Sequence, residues 1–142
     1  MRIAIGCDEA AFKLKESIKT LLVNKGIEVE DFGTYTEDEK VLYPDVAIAA
    51  AESIQMGKND RGILICGTGI GMSITANKVP GIRAAVCHDS FSTERSRKSN
   101  DAQVMCLGAR VIGEELAKQL VDLWLTCDLF VSFSHLHINF LF

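Results

Sequence analysis

The stretch "RGILICGTGIGMSITANK", residues 61–78, decides the fold. From Gly62 to Cys66 it is a near-continuous run of branched apolar residues, the kind of strand found in the middle of a parallel sheet with both faces covered. Three alternating glycines, Gly67, Gly69 and Gly71, then lead into a segment from Ile70 to Lys78 that reads as a helix. A buried strand passing through a tight glycine turn into a helix is one half of a βαβ unit.

The flanking sequence repeats that alternation. "RIAIGC" (2–7) is a strand, followed by a helix from Glu9 to about Lys25 on which Ala11, Leu14, Ile18 and Leu21 make the apolar stripe while the charges lie elsewhere. Gly26 ends that helix as a C-cap glycine does. "IEVEDFG" (27–33) reads as a half-polar strand, and Pro44 opens the helix "PDVAIAAAESIQMG" (44–57) at its favoured first position. The strand "IRAAVC" (82–87), a polar helix from Ser90 to Lys98, the strand "QVMCLG" (103–108) and a helix from Glu114 to about Leu125 complete the pattern. Strand alternating with helix five times over implies right-handed crossovers and a single-domain, Rossmann-like α/β fold: a doubly wound, five-stranded parallel sheet with helices on both faces. In such sheets ligands bind outside the carboxyl ends of the strands. The loops Cys7–Glu9, Gly33–Tyr43, Cys66–Gly71, Cys87–Asp89 and Gly108–Arg110 are therefore expected to converge on one rim.

The domain is expected to span residues 1–126. Beyond it, "CDLFVSFSHLHINFLF" (127–142) crowds Phe130, Phe133, Phe140 and Phe142 into a tail with little charge, which must pack on the domain, on a partner subunit, or aggregate. A net charge of −4 argues against a general nucleic-acid binder, which needs a basic face. The N-terminus "MRIAIGCDEA" lacks the long apolar core of a signal peptide, and no apolar run is long enough to span a bilayer. Five cysteines without a C-x-x-C pair fit a reducing cytoplasm. Cys7, Cys87, Cys106 and Cys127 read as small buried hydrophobes, and Cys66 is set apart by its neighbours.

The glycine run is not a dinucleotide fingerprint, because Met72 stands where the last glycine belongs and "IRAAVC" ends without an acidic residue. No Lys-Ser or Lys-Thr follows, which excludes a P-loop. What remains is a glycine turn at a helix start, whose bare amides suit a phosphate or a developing oxyanion, with the Thr68 and Ser73 hydroxyls nearby. The alternative is that the glycines merely permit a tight turn. Cys66 ends its strand beside that turn, where a helix start favours a thiolate able to act as nucleophile or base. A redox role would need a resolving cysteine, and a covalent hydrolase a histidine such as His88, which reads equally well as a solvated rim residue. Asp8 and Glu9 serve either the following helix start or a ligand's hydroxyls.

"RIAIGCDEAAFKLKESI", "DFGTY", "YPD", "GILICGTGIGMSITANKVPGIRAAVCHD" and "SNDAQVMCLGARVIG" together resemble the ribose-5-phosphate isomerase B family, whose relatives include the galactose-6-phosphate isomerase subunits. The likeness runs to about Leu125, with the elements in the family's order. It implies an aldose–ketose isomerase of sugar phosphates that needs no metal or other cofactor and moves a proton between C1 and C2 through a cis-enediolate. It also implies a homodimer, or a tetramer, with the active site at the subunit interface. By the same resemblance Cys66 is the base, and Thr68 helps protons move between the oxygens. Gly67, Gly69, Ile70 and Gly71 supply the amides that hold the enediolate. Asp8, Tyr43 and Asn100 match substrate-hydroxyl contacts, and Arg110 a phosphate ligand.

Glu9 and Ser99 both lie at substrate-facing positions where the family usually carries histidine, and Ala11 stands where it usually has glycine. The tail lacks the family's Gly-Gly-Arg-His and its further phosphate-gripping arginine. In the ribose enzymes the histidine before the asparagine is associated with opening the furanose ring. Ser99 in its place suits a short open-chain substrate, such as a tetrose or tetrulose 4-phosphate, over ribose 5-phosphate. Arg110 alone holds a dianion more weakly than an arginine cluster, which makes Arg97 and Lys98 candidates to compensate. The alternatives are one subunit of a heteromeric galactose-6-phosphate isomerase and a catalytically silent sugar-phosphate-binding subunit.

Overall fold

Each apolar run found in the sequence becomes a strand of one parallel sheet in a computed structural model that describes residues 1–129. The strands are β1 (Arg2–Cys7), β2 (Glu28–Asp31), β3 (Arg61–Cys66), β4 (Ala84–Val86) and β5 (Val104–Gly108), in the spatial order β2-β1-β3-β5-β4. All four pairings are parallel. From β1 the chain steps outward to β2, then returns across β1 to lay down β3. This reversal opens a crevice at the carboxyl ends of β1 and β3, where doubly wound sheets bind their ligands.

Among the described residues five helices cover the sheet: α1 (Phe12–Asn24), α2 (Tyr43–Gln55), α3 (Ile70–Ala76), α4 (Ser90–Lys98) and α5 (Glu114–Thr126). The period-two alternation of the strands divides the core in two. Ile3, Ile5, Cys7, Ile63, Ile65, Met105 and Leu107 meet Leu14, Ile18 and Leu22 of α1 and Leu120, Val121 and Trp124 of α5. On the other face Ala4, Leu64, Cys66, Val104 and Cys106 meet Val46, Ala47, Ala50 and Ala51 of α2 and Met72 and Ala76 of α3. Each fully buried Ile, Leu or Met contributes about 1.5–3 kcal/mol of transfer free energy.

Three differences from the sequence expectation bear on packing, beside shifted bounds such as Tyr43 rather than Pro44 at the start of α2 and Ala84–Val86 for β4. The first helix does not begin at Glu9: residues Glu9–Ala11 form a 3-10 turn and α1 starts at Phe12, because Ala11 (φ −114°, ψ 8°) departs from helical geometry. Leu22, rather than Leu21, is the fully buried residue of the last turn. Lys15 also breaks the rule that charges lie on the outer face, since it is 0% exposed. Its Nζ is held 2.9 and 2.8 Å from the two carboxylate oxygens of Asp31 and 2.7 Å from the Thr34 carbonyl, near the rings of Phe12 and Tyr35. A buried ammonium is tolerated when paired and hydrogen-bonded in this way. Gly26 does adopt the left-handed cap that the sequence calls for, at φ +73°. The tail's Phe130, Phe133, Phe140 and Phe142 lie outside the described residues. Among those described, no helix is long and apolar enough to cross a membrane.

Candidate active site

Two joints at the carboxyl rim are made by backbone hydrogen bonds. The Cys7 amide donates to Gly33 O (2.6 Å) and the Thr34 amide to Cys7 O (2.8 Å), tying the loop after β2 to the end of β1. The Ala109 amide donates to Cys66 O (2.8 Å) and the Arg110 amide to Gly67 O (3.0 Å), tying the loop after β5 to the glycine turn. The Lys15–Asp31 pair reinforces the first of these joints through the Thr34 carbonyl.

The glycines are required by packing. Gly69 has φ +78°, and a Cβ there would sit 3.0–3.2 Å from Leu107 backbone atoms. A Cβ on Gly108 would sit 2.8 Å from the Thr68 backbone, so turn and strand end are pressed together. At Gly71 a Cβ would lie 2.7 and 2.8 Å from Tyr43 ring carbons, which places that ring over the start of α3. The turn is tight, and its glycines let it press against Leu107 and Tyr43. Its product is the contact between Gly69 N–H and Cys66 Sγ, at 3.1 Å. Thr68 Oγ1 accepts a hydrogen bond from the Ile70 amide at 3.3 Å, and Thr68 and Ile70 are both exposed.

Cys66 is 6% exposed, at the mouth of the turn. The remaining thiols are buried as expected, and burial pushes Cys7 up to about 12 and raises Cys87 and Cys106 as well. Arg110 lies along Gly67 and forms no ion pair among the described residues. Burial and then the neighbouring charge of Glu9 hold the Asp8 carboxyl above its ordinary range, while the amides of Ala10 and Ala11 and the Arg110 guanidinium draw it down less. Asp8 Oδ1 is buried without a hydrogen-bond partner among the described residues, a cost that a ligand hydroxyl would relieve.

His88 is neither a solvated rim residue nor a partner for Cys66. Its Nε2 accepts the Gly108 amide at 2.8 Å, which fixes the neutral tautomer and braces the strand end against which Thr68 packs. Burial lowers its pKa below the ordinary 6.5, against a smaller pull from Asp89.

Asp8, Glu9, Tyr43, Cys66, Thr68, Arg110 and the Gly67–Gly71 turn share this rim. Ser99 and Asn100 do not. They follow α4 at the amino-terminal ends of the strands, where Arg83 Nε donates to the Asn100 carbonyl at 2.9 Å. The length of β5, roughly 13 Å at ~3.3 Å per residue, separates that corner from Cys66. Arg97 and Lys98 belong to the same far end. Arg97 is 5% exposed, with its guanidinium on Ala102 O (2.8 Å), Cys127 O (3.4 Å) and the Asp101 carboxylate (3.0 Å), and Lys98 pairs with Glu94 at 3.4 Å. Within one chain neither strengthens the Arg110 site. Among the described residues no group of three His, Cys, Asp or Glu side chains is placed to hold a metal ion.

Sequence reading passed over Lys15, Asp31 and the bracing role of His88. Lys15 had a signal, since it stands between Leu14 and Ile18 within the apolar stripe and an aspartate ends the next strand. His88 had none, because its acceptor role depends on where the Gly108 amide points.

Residues 3–137 match the Ribose/Galactose Isomerase family. The chain is 59% identical over 128 residues to the ribose-5-P isomerase B of Listeria innocua serovar 6a, an alignment spanning 90% of this chain and 86% of that protein. It is 56% identical over 128 residues to the D-erythrulose-4-phosphate isomerase of Pectobacterium atrosepticum, spanning 90% and 84% of the two. The fold superposes on that of Clostridium thermocellum ribose-5-phosphate isomerase B with a TM-score of 0.94 at 46% identity, covering 98% of this chain and 93% of the other.

Proposed function

This chain belongs to the ribose/galactose isomerase family and is an aldose–ketose isomerase of sugar phosphates, and we propose that Cys66 is the base that carries the proton between C1 and C2. In the aldose-to-ketose direction the Cys66 thiolate takes the C2 proton, and the electron pair moves through the C1–C2 bond onto the carbonyl oxygen. The resulting cis-enediolate is held by the amides of Gly67 and Gly71, while those of Gly69 and Ile70 hold Cys66 Sγ and Thr68 Oγ1 beside it. Thr68 Oγ1 passes a proton between the two oxygens, and the Cys66 thiol returns its proton to C1. Asp8 and Tyr43 orient the substrate hydroxyls, and Arg110 takes the phosphate. The observation that carries this reading is the 3.1 Å contact from Gly69 N–H to Cys66 Sγ: base and oxyanion donors are built from adjacent residues on one rigid turn. Preorganised donors of this kind contribute about 2.7–4 kcal/mol each to the transition state.

Ser99 and Asn100 join this site from a second copy of the chain, in a homodimer whose amino-terminal corner meets the partner's carboxyl rim. The separation of the two groups within one chain supports that arrangement. Five unpaired cysteines suit a cytoplasmic enzyme. With Ser99 and Glu9 at the substrate-facing positions, the preferred substrate is an open-chain tetrulose 4-phosphate. Comparison of kcat/KM on D-erythrulose 4-phosphate and ribose 5-phosphate tests this. The tetrulose is expected to turn over faster, and Ser99→His to shift the ratio toward ribose. Faster turnover of ribose 5-phosphate by the unaltered enzyme would contradict the substrate reading.

A further inference from the structure

We propose that Asp101 is a positioning residue for the isomerase reaction: it holds the turn that presents Asn100 to substrate, with Arg83 and Arg97 as its clamps. The proposal rests on the reading that Asn100 completes the site of a neighbouring copy. Asp101 has φ +48° and is the one non-glycine residue with positive φ among those described. Aspartate tolerates that region better than most residues, yet an L-residue there is strained unless its surroundings enforce it.

The enforcement is visible. Asp101 Oδ2 lies 3.0 Å from Arg83 Nη2, and Oδ1 lies 3.0 Å from Arg97 Nη1. The same Arg83 reaches the backbone of the turn, its Nε donating to Asn100 O (2.9 Å) and Asp101 O (3.2 Å). The Asp101 amide donates to Arg97 O (3.0 Å), and the Ala102 amide to Ser96 O (2.8 Å). Arg97 is buried, lies over the Trp124 ring at 5.9 Å and donates from Nε to the Cys127 carbonyl at 3.4 Å. One carboxylate thus joins the residue before β4 to the end of α4, and Arg97 carries the link on to Cys127 after α5.

The left-handed Asp101 closes α4, its amide continuing the i→i−4 ladder onto Arg97 O after Ser99 onto Arg95 O. The two arginines on its carboxylate go beyond what that cap needs. They act on Asn100 and Asp101. Asn100 is exposed, its main chain is fixed on both sides, and its side chain is left to face outward from a rigid turn. That is how a group acting on a ligand outside its own chain is best held, because small misplacements of a substrate contact cost large factors in rate.

A double-mutant cycle between Asp101→Ala and Asn100→Ala, read as kcat and KM with thermal unfolding in parallel, tests the assignment. Asp101→Ala is expected to lower kcat/KM by about 10- to 100-fold, mainly through KM. It is expected to add no further loss once Asn100 is already alanine. Asp101→Asn, which keeps the left-handed turn and an acceptor for Arg83, should recover most of the activity. Arg83→Lys repeats the cycle if Asp101→Ala does not fold. Losses that multiply in the double variant, or an Asp101→Ala protein that melts earlier with unchanged kinetics, would overturn the positioning role alone. Wild-type kinetics in Asn100→Ala would overturn the placement of Asn100 at substrate, and the proposal with it.

Discussion

Two glycines with nearly the same backbone geometry allow the close-packed turn to be tested by difference. Gly69 and Gly26 have φ of +78° and +73°, so alanine at either bears the left-handed penalty, about 1–2 kcal/mol. At Gly26 nothing lies within 4 Å of the new Cβ, and the loss ends there. At Gly69 the Cβ meets Leu107 C, O and N at 3.0, 3.1 and 3.2 Å, in a strand hydrogen-bonded on both sides. The turn must give way, at a further cost of about 1–3 kcal/mol by the scale of overpacked cores. Its movement takes the Gly69 amide out of line with Cys66 Sγ, which should lower kcat by about 10- to 100-fold. Urea denaturation followed by circular dichroism, with steady-state isomerase kinetics on the same preparations, gives both numbers. Gly26→Ala is expected to lose stability alone, with kcat unchanged. Equal stability losses in the two variants, or a Gly69→Ala enzyme with kcat within about twofold of the parent, would refute the reasoning.

The His88 pKa is lowered in the fold, so the folded chain refuses a proton that the unfolded chain accepts below 6.5. Stability is therefore whole above that pH and falls on the acid side until the folded-state pKa is passed; His88→Asn should shrink this loss in urea titrations between about pH 5 and 8. Asp8 has the opposite sign for a carboxyl: its raised pKa means that its charge costs stability at neutral pH, a cost absent below the ordinary 3.8. Asp8→Asn is accordingly expected to melt at a higher temperature with lower kcat/KM, and a lower melting temperature would contradict the assignment. Lys15→Met leaves Asp31 with only Lys19 and the Gly33 amide, and is expected to cost about 3 kcal/mol in chemical denaturation, partly recovered by adding Asp31→Leu.

Much of this molecule was legible in its order of residues. The alternation of "RIAIGC", "RGILIC" and "QVMCLG" with helical stretches sufficed for the sheet, because side-chain periodicity and crossover handedness act locally. Cys66 and the glycine turn were legible too, as consecutive residues whose geometry is fixed within one βα unit. Lys15 was misread because its burial depends on Asp31 and Thr34, which reach it only after β2 has paired with β1. Ser99 and Asn100 show another limit. A family resemblance sets an expectation for a residue's role, whereas the chain's topology decides which rim it occupies, and these two lie at the far end of β5 from Cys66. Arg97 looked like spare positive charge and is instead committed to three groups in the interior.

The central claim is that Cys66 moves the proton. Purified enzyme incubated with sugar phosphate in deuterated water, followed by NMR, reads that step without any coupling enzyme. The account predicts solvent deuterium at C2 of the aldose with the parent enzyme and none with a folded Cys66→Ala variant. Exchange at the parent rate in the variant would contradict the role of Cys66.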